Sequence, residues 1–229
     1  MKKNLSVVLA ACAVLAAASA GYPTSAAGQK AGLSTAGGVI TLKGTENQNS
    51  PTVNMSQGAY IVRRTSGEGF MSITVKGGAD KTYHTTFFSD PNGAYLLIAG
   101  SALFPPGDVF FEVIGMDAWT VTITKVDPAT AVALPQTLAG AEMKNSISQP
   151  FQAAAGELVM TYAYKSAPKG TGTLTICDVV TGKTIPMKQM MYAGKISGGW
   201  NMTIPAAGVY IAEATFPKAS GGGEVKLSQ

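Results

Sequence analysis

One histidine, His84, and two cysteines, Cys12 and Cys177, are all that 229 residues hold of the side chains most used for nucleophilic catalysis and transition-metal ligation. A Ser-His-Asp or Cys-His centre would have to be built on His84. A Cys/His zinc site needs more ligands than the chain owns. His84 lies in KTYHTTFF, alternating with Thr82 and Thr86, and reads as a solvent-facing strand residue. Neither G-x-S-x-G nor a D-x-D-x-D-G calcium loop occurs. Charge is scarce as well: 13% of residues are charged, about half the usual share. Asp90, Asp108, Asp117 and Asp127 stand next to turns, where Asp bonds its own backbone. No two carboxylates are placed to face one sugar. These absences point away from an enzyme and from a bound cofactor. The formal charge is +4, with no dense Lys/Arg run to grip phosphates, so nucleic acid is not an expected partner.

What is present begins with MKKNLSVVLAACAVLAAASA: a basic start, an apolar stretch and Ala18-Ser19-Ala20. That is the pattern of a secretory signal peptide over residues 1–20. The expected location is therefore secreted, periplasmic or cell-surface. LAAC (Leu9–Cys12) is the competing reading, a lipobox that would anchor the chain at Cys12, but the apolar stretch continues past that residue. No later segment reaches the ~18 apolar residues that span a bilayer. With the leader removed, Cys177 is alone and is expected to act as a small strand hydrophobe.

Residues 21–37 are small and polar and read as a flexible lead-in. Short apolar runs then alternate with Gly, Pro, Asn and Asp turns. MSITVKGG sets Ile73 and Val75 on one face; SDPNGAY reads as a turn; WTVTITK sets Trp119, Val121 and Ile123 against three threonines. Trp119 is thus expected inside. After the leader, no helical stripe occurs. KVDPATAVALPQ interrupts the strand pattern, and residues 128–135 read as a linker between two independently folding domains, 38–127 and 136–229.

The second domain repeats the first. Gly44 matches Gly140, Glu46 matches Glu142, Val53 matches Phe151 and Gly58 matches Gly156; Ile73 and Val75 match Leu174 and Ile176. FPPGDVFFEV aligns with IPAAGVYIAE, setting Pro105 on Pro205, Val109 on Val209 and Phe110 on Tyr210, and WTVTI aligns with GEVKL. Conserved order with small gaps marks an internal duplication. The expected fold is all-β: two tandem β-sandwich domains, Ig-like or jelly-roll, after a signal peptide.

Gly58-Ala-Tyr60-Ile-Val, Phe70-x-x-Ile73-x-Val75, FPPGDVFFEV and the closing Trp119-x-Val-x-Ile123 resemble, in order and layout, the prepeptidase C-terminal domain of bacterial secreted proteins. The resemblance implies an accessory, non-catalytic module. It covers most of both copies; the family's modules usually accompany an enzyme, none is expected within these 229 residues, and the family's Asp-rich turn is missing from them.

The expected function is accordingly a non-enzymatic exported binding or structural surface protein, whose partner is an extracellular protein, a glycan or another copy of itself. Two further readings stand beside it. Tyr162 and Tyr164 share a strand face in MTYAYK and Trp200 lies in SGGWNMT, an arrangement that could stack on carbohydrate. Met187, Met190, Met191 and Met202 fall within sixteen residues, and thioethers suit Cu(I) in a periplasmic copper binder.

Overall fold

The computed structural model describes residues 30–229 apart from 68, 79–80, 89–92, 102–103 and 192–195; side chains of 186–191 also lie outside the described residues. The leader, the Cys12 lipobox and most of the SDPNGAY turn therefore lie outside them. Among the described residues no helix is long and apolar enough to cross a membrane.

In chain order the first unit comprises β1 (Gly32–Ala36), β2 (Val39–Thr45), β3 (Gln48–Asn49), β4 (Val53–Met55), β5 (Gly58–Ser66), β6 (Met71–Lys76), β7 (Thr82–Phe88), β8 (Ala94–Ala99), β9 (Gly107–Gly115) and β10 (Ala118–Lys125). The second comprises β11 (Gln136–Gly140), β12 (Asn145–Ile147), β13 (Phe151–Ala153), β14 (Gly156–Tyr164), β15 (Thr171–Asp178), β16 (Thr184–Met191), β17 (Ser197–Ile204), β18 (Gly208–Thr215) and β19 (Gly223–Ser228). The first unit pairs its strands as β1-β2-β10-β5-β8 and β3-β9-β6-β7, with β4 also on β9. The second pairs them as β11-β19-β14-β17 and β12-β18-β15-β16, with β13 also on β18. All of these strand pairings are antiparallel.

With β3/β4 and β12/β13 each taken as one interrupted strand, and β1 set aside as an addition to the first unit, both units have the same order of eight strands. First, eighth, third and sixth strands form one sheet; second, seventh, fourth and fifth form the other. This is the jelly-roll order, and it decides between the two sandwich topologies left open by the sequence. Alternating side chains send one face of each sheet inward. Leu42, Val62, Val121 and Ile123 thus meet Ile73, Val75, Phe111 and Val113 in the first core. Leu138, Leu158, Met160 and Val225 meet Leu174, Ile176, Tyr210 and Ala212 in the second.

The interruption in the second strand is made by the same device in both copies. Ser50 donates its N–H to the Phe111 carbonyl (2.8 Å) and its Oγ accepts from the Phe111 N–H (2.9 Å). Ser148 does the same with Ala212, at 2.9 and 3.0 Å. Side chain replaces ladder, so no buried amide is orphaned where the strand breaks. These bonds also correct the repeat alignment. Val53 pairs with Val109 and Phe151 with Tyr210, so Val109 is equivalent to Tyr210 and Phe111 to Ala212. The alignment of FPPGDVFFEV with IPAAGVYIAE, which sets Val109 on Val209 and Phe110 on Tyr210, is one residue out, because similar apolar residues occupy both faces of β18.

The corrected register explains Trp119. It is buried as the alternation requires, and its Nε1–H donates to the Glu46 carbonyl at 2.8 Å. Its ring fills space left by Gly44 and Gly115: a Cβ on either would lie 2.4 or 2.9 Å from a Trp119 ring atom. In the second unit Gly223 replaces Trp119 and Phe216 replaces Gly115. Phe216 then fills the space over Gly140, where a Cβ would lie 2.5 Å from its ring. One hole is filled from opposite neighbouring positions in the two copies.

Two expectations about connecting segments change. Residues 32–36, within the supposed lead-in, form β1, because Gly37 and Gly38 (φ 56° and 78°) supply the type I′ turn that folds β1 onto β2. The 128–135 segment is tied down rather than free. Asp127 caps a short 3-10 turn, Pro128–Thr130, accepting from the Ala129 N–H at 2.9 Å. Val132 then bonds both Pro150 and Gln152 at 2.9 Å.

The units also share a third apolar cluster. Ala59, Leu96 and Val126 from the first pack on Cys177, Val179 and Ile211 from the second. The Ala59 N–H donates to the Val179 carbonyl at 3.1 Å, and the Leu96 N–H donates to Glu213 Oε1 at 3.1 Å. Gly182 (φ 62°) makes the approach possible: a Cβ there would lie 2.2 Å from the Ala99 carbonyl oxygen. Each buried aliphatic side chain here is worth on the order of 1.5–3 kcal/mol. Cys177 is wholly buried in this cluster, which pushes its thiol up to about 12, helped by the charges of Asp178 and Glu213. It is therefore expected to resist iodoacetamide in the folded protein and to react only on unfolding. Labelling of Cys177 under native conditions, followed by mass spectrometry, would contradict this packing.

Candidate functional site

The aromatic residues singled out for sugar stacking do not form a platform. Tyr162 and Tyr164 are 3% and 7% exposed, inward on β14, with ring centroids 5.0 Å apart. Trp200 sits edge-on to Tyr162 at 5.8 Å and packs on the same core. The face these tyrosines share is the core face, because Leu158 and Met160 continue it. Burial, and then Tyr162, push the Tyr164 phenol up to about 12.

The four methionines stand on two strands. Met202 is buried opposite Leu158 on β17, whereas Met187, Met190 and Met191 belong to β16 in the other sheet. The side chains of those three lie outside the described residues. Among the described residues no three His, Cys, Asp or Glu side chains are grouped to hold a metal ion. His84 is half-buried rather than solvent-facing. A bulge between Val75 and Lys76 shifts the register of β7, and Thr86 and Phe88 beyond it are buried. Burial lowers the His84 pKa and favours the neutral imidazole.

The aromatic surface lies elsewhere. Phe70, Phe87 and Met116 are 45%, 53% and 70% exposed, the most conspicuous apolar residues of the first unit's surface. The Phe70 and Phe87 ring centroids are 5.8 Å apart at 31°. Met116 lies beside them: a Cβ on Gly69 would be 3.4 Å from its Sδ. Pairing of β6 with both β7 and β9 gathers the three residues at one end of that sheet.

The patch is held from beneath. Arg64, on β5, is 1% exposed; its Nη1–H donates to the Gly69 carbonyl at 2.7 Å, and its Nε–H to Ser66 at 3.4 Å. A buried guanidinium thus grips the loop that presents Phe70. The Tyr95 hydroxyl donates to the Phe87 carbonyl, and the Tyr95 ring meets Phe88 edge-on at 4.8 Å. One signal for the patch was legible in the sequence. Phe87 and Phe88 are adjacent on a strand, so they cannot both point inward.

The second copy carries other residues at these three positions. The register places Thr171 at the Phe70 position, Gln189 at the Phe87 position and Pro217 at the Met116 position. A concavity of about 260 Å³ lies between the units, with Arg63, Tyr95, Lys144 and Asn145 in its wall. Glu213 lies close by, accepting from Leu96 N–H and from Asn145 Nδ2–H at 3.0 Å.

No family model matches the chain, and no curated protein does. Solved structures give distant similarities. Oxalate decarboxylase of Bacillus subtilis is 6% identical over 83% of this chain and 68% of that one, with a TM-score of 0.25. The coconut allergen cocosin is 10% identical over 83% and 76%, with a TM-score of 0.21. The cycloalternan-forming enzyme of Listeria monocytogenes is 11% identical over 86% of this chain and 20% of that one, with a TM-score of 0.24. Similarities this low bear on neither the ancestry nor the activity of the chain, which rest on its own residues.

Proposed function

We propose that the protein is an exported, non-enzymatic binding protein whose contact surface is the Phe70–Phe87–Met116 patch of the first unit. The observation that carries the proposal is the contrast between copies. The duplication preserves strand order, core positions and the Ser50/Ser148 device, yet puts Phe, Phe and Met at these three positions in one copy only, against Thr171, Gln189 and Pro217 in the other. A feature the fold needs is present twice; one it does not need is present once. The accessory role implied by the resemblance to prepeptidase C-terminal domains is of the same class, and the basic-apolar leader is the ground for export.

The chemistry of the patch favours a protein partner over a glycan. Aromatic residues and Met are enriched in the buried centres of protein interfaces. Phe and Met side chains give a sugar no hydroxyl or amide partner. Gripping by Arg64 and Tyr95 lowers the ordering cost that binding imposes.

The test is capture from the envelope and culture medium of the producing cells, with immobilised wild-type chain and with Phe70→Thr/Phe87→Gln, which copies the second unit. The wild type should retain a discrete protein, and the variant should bind it at least ~30-fold more weakly, as expected for a hot spot near 2 kcal/mol. Both positions are exposed, so the melting temperature should hold. Equal capture by the variant would remove the patch from the function. Capture of polysaccharide by both chains would favour the carbohydrate-binding reading at some other surface.

A further inference from the structure

We propose that copies of this chain join head to tail through their sheets, β1 of one copy pairing along its free edge with β11 of the next. An unpaired strand edge is a template for another strand unless charge, proline, a bulge or a covering segment blocks it. In the first unit both edges of the β2-β10-β5-β8 sheet are dealt with. β1 covers β2, and the second unit faces β8 through the bond from Leu96 to Glu213. In the second unit, β11 pairs with β19 and, among the described residues, with no other strand.

The two equivalent strands share Thr-Leu within the stretch that receives β1 on β2, Val39–Lys43, and a Gly just past it, while Ala139 stands for Lys43, Gln136 for Ile40 and Pro135 for Val39. Thr41-Leu42-Lys43-Gly44 on β2 corresponds to Thr137-Leu138-Ala139-Gly140 on β11. On β2 this stretch accepts the strand GLSTA, with Gly32 opposite Lys43, Leu33 opposite Leu42 and Ser34 opposite Thr41. The molecule thus shows which kind of strand its Thr-Leu-x-Gly edge accepts, and it leaves the second such edge open.

β1 suits the role of donor. All five of its residues are exposed, and it pairs with β2 on one side only. Its start is anchored, because Ala31 donates its N–H to Asn49 at 3.0 Å. It can therefore present its outer edge without leaving β2. Neither GLSTA nor QTLAG contains charge or proline, whereas β16, an edge of the other sheet type, contains Pro186 and Lys188. The contact is heterologous, since β1 and β11 are different surfaces, so each copy offers one donor edge and one acceptor edge and further copies can add to both ends. Each contact joins the five-stranded sheet of one copy to the four-stranded sheet of the next.

The experiment combines sedimentation with cross-linking of the full chain in a Cys12→Ala background, where Cys177 is buried. Ser34→Cys and Thr137→Cys are made in separate chains, both at exposed positions. Mixing the two under mild oxidation should give a disulfide-linked heterodimer in excess of either homodimer. Sedimentation of the parent should show mass rising with concentration, and Thr137→Lys should abolish the rise without lowering the melting temperature. A monomer at every concentration would overturn the proposal. So would association insensitive to Thr137→Lys, or cross-links confined to Ser34→Cys homodimers.

Discussion

Trp119→Gly should destabilise the protein by about 3–5 kcal/mol, the usual cost of truncating a large buried aromatic residue. Gly115→Phe, made alone, should also destabilise, because the added ring competes with Trp119 for occupied space. Made together, the two changes should recover a large part of the loss. The double variant reproduces what the second copy does with Phe216 and Gly223, and the two ring positions share one hole. Neighbouring residues that share a cavity are strongly non-additive, with coupling of roughly 0.5–3 kcal/mol. Urea unfolding of the four proteins closes the cycle. Strict additivity would mean that the two holes are not equivalent and that the corrected repeat register is wrong.

The second large effect is pH-dependent and centres on Glu213. Burial raises its pKa from 4.5 to about 7, against the opposing bonds from the Leu96 N–H and the Asn145 amide. The direction of the linkage follows. Below about pH 4.5 the carboxyl is protonated in both folded and unfolded chains, and the site imposes no penalty. Between 4.5 and 7 the unfolded chain ionises first, so stability falls as pH rises. Above 7 the folded protein carries the buried charge, and the loss levels off at roughly 3 kcal/mol. Glu213→Gln keeps a side-chain oxygen for Leu96 and Asn145 and removes the titration. It should flatten the stability profile across that window and stabilise the protein at pH 8. Parallel profiles for wild type and variant would show that Glu213 is solvated and that the interface around it is open.

Much of the fold was legible because the strands have one wet face. WTVTITK alternates cleanly, and its buried set is the expected Trp119, Val121 and Ile123. The duplication fixed which runs were equivalent, and the jelly-roll order followed once the pairings were known. Reading failed where a strand is buried on both faces. In β18, Tyr210 and Ala212 enter the second core while Ile211 enters the cluster shared between units. Uninterrupted apolar sequence carries no alternation, so the register slipped by one residue and the inter-unit contact was invisible. Cys177 is the same case on β15: unexceptional in sequence, it is central to that contact.

The candidate site was missed for a related reason. Tyr162 and Tyr164 alternate with Thr161 and Ala163, a pattern that identifies a shared face without saying which face is wet. The neighbours Leu158 and Met160, in phase with the tyrosines, assign that face to the core. Phe87 carried the stronger signal, since Phe88 beside it must take the opposite face. Gly37-Gly38 was likewise a hairpin signal inside a stretch whose composition alone suggested a free tail.

The two copies are joined by a built interface rather than strung on a linker, and the chain's two tryptophans report on it directly. Trp119 lies in the first core and Trp200 packs on the second. With fluorinated tryptophan incorporated, each gives its own 19F resonance, and urea unfolding can be followed in both units within one sample. Because Ala59, Leu96 and Val126 lose their cover when Cys177, Val179 and Ile211 depart, the two native resonances should disappear together at a single midpoint. Separate midpoints, with one unit native while the other is unfolded, would contradict the shared cluster and restore two independent domains.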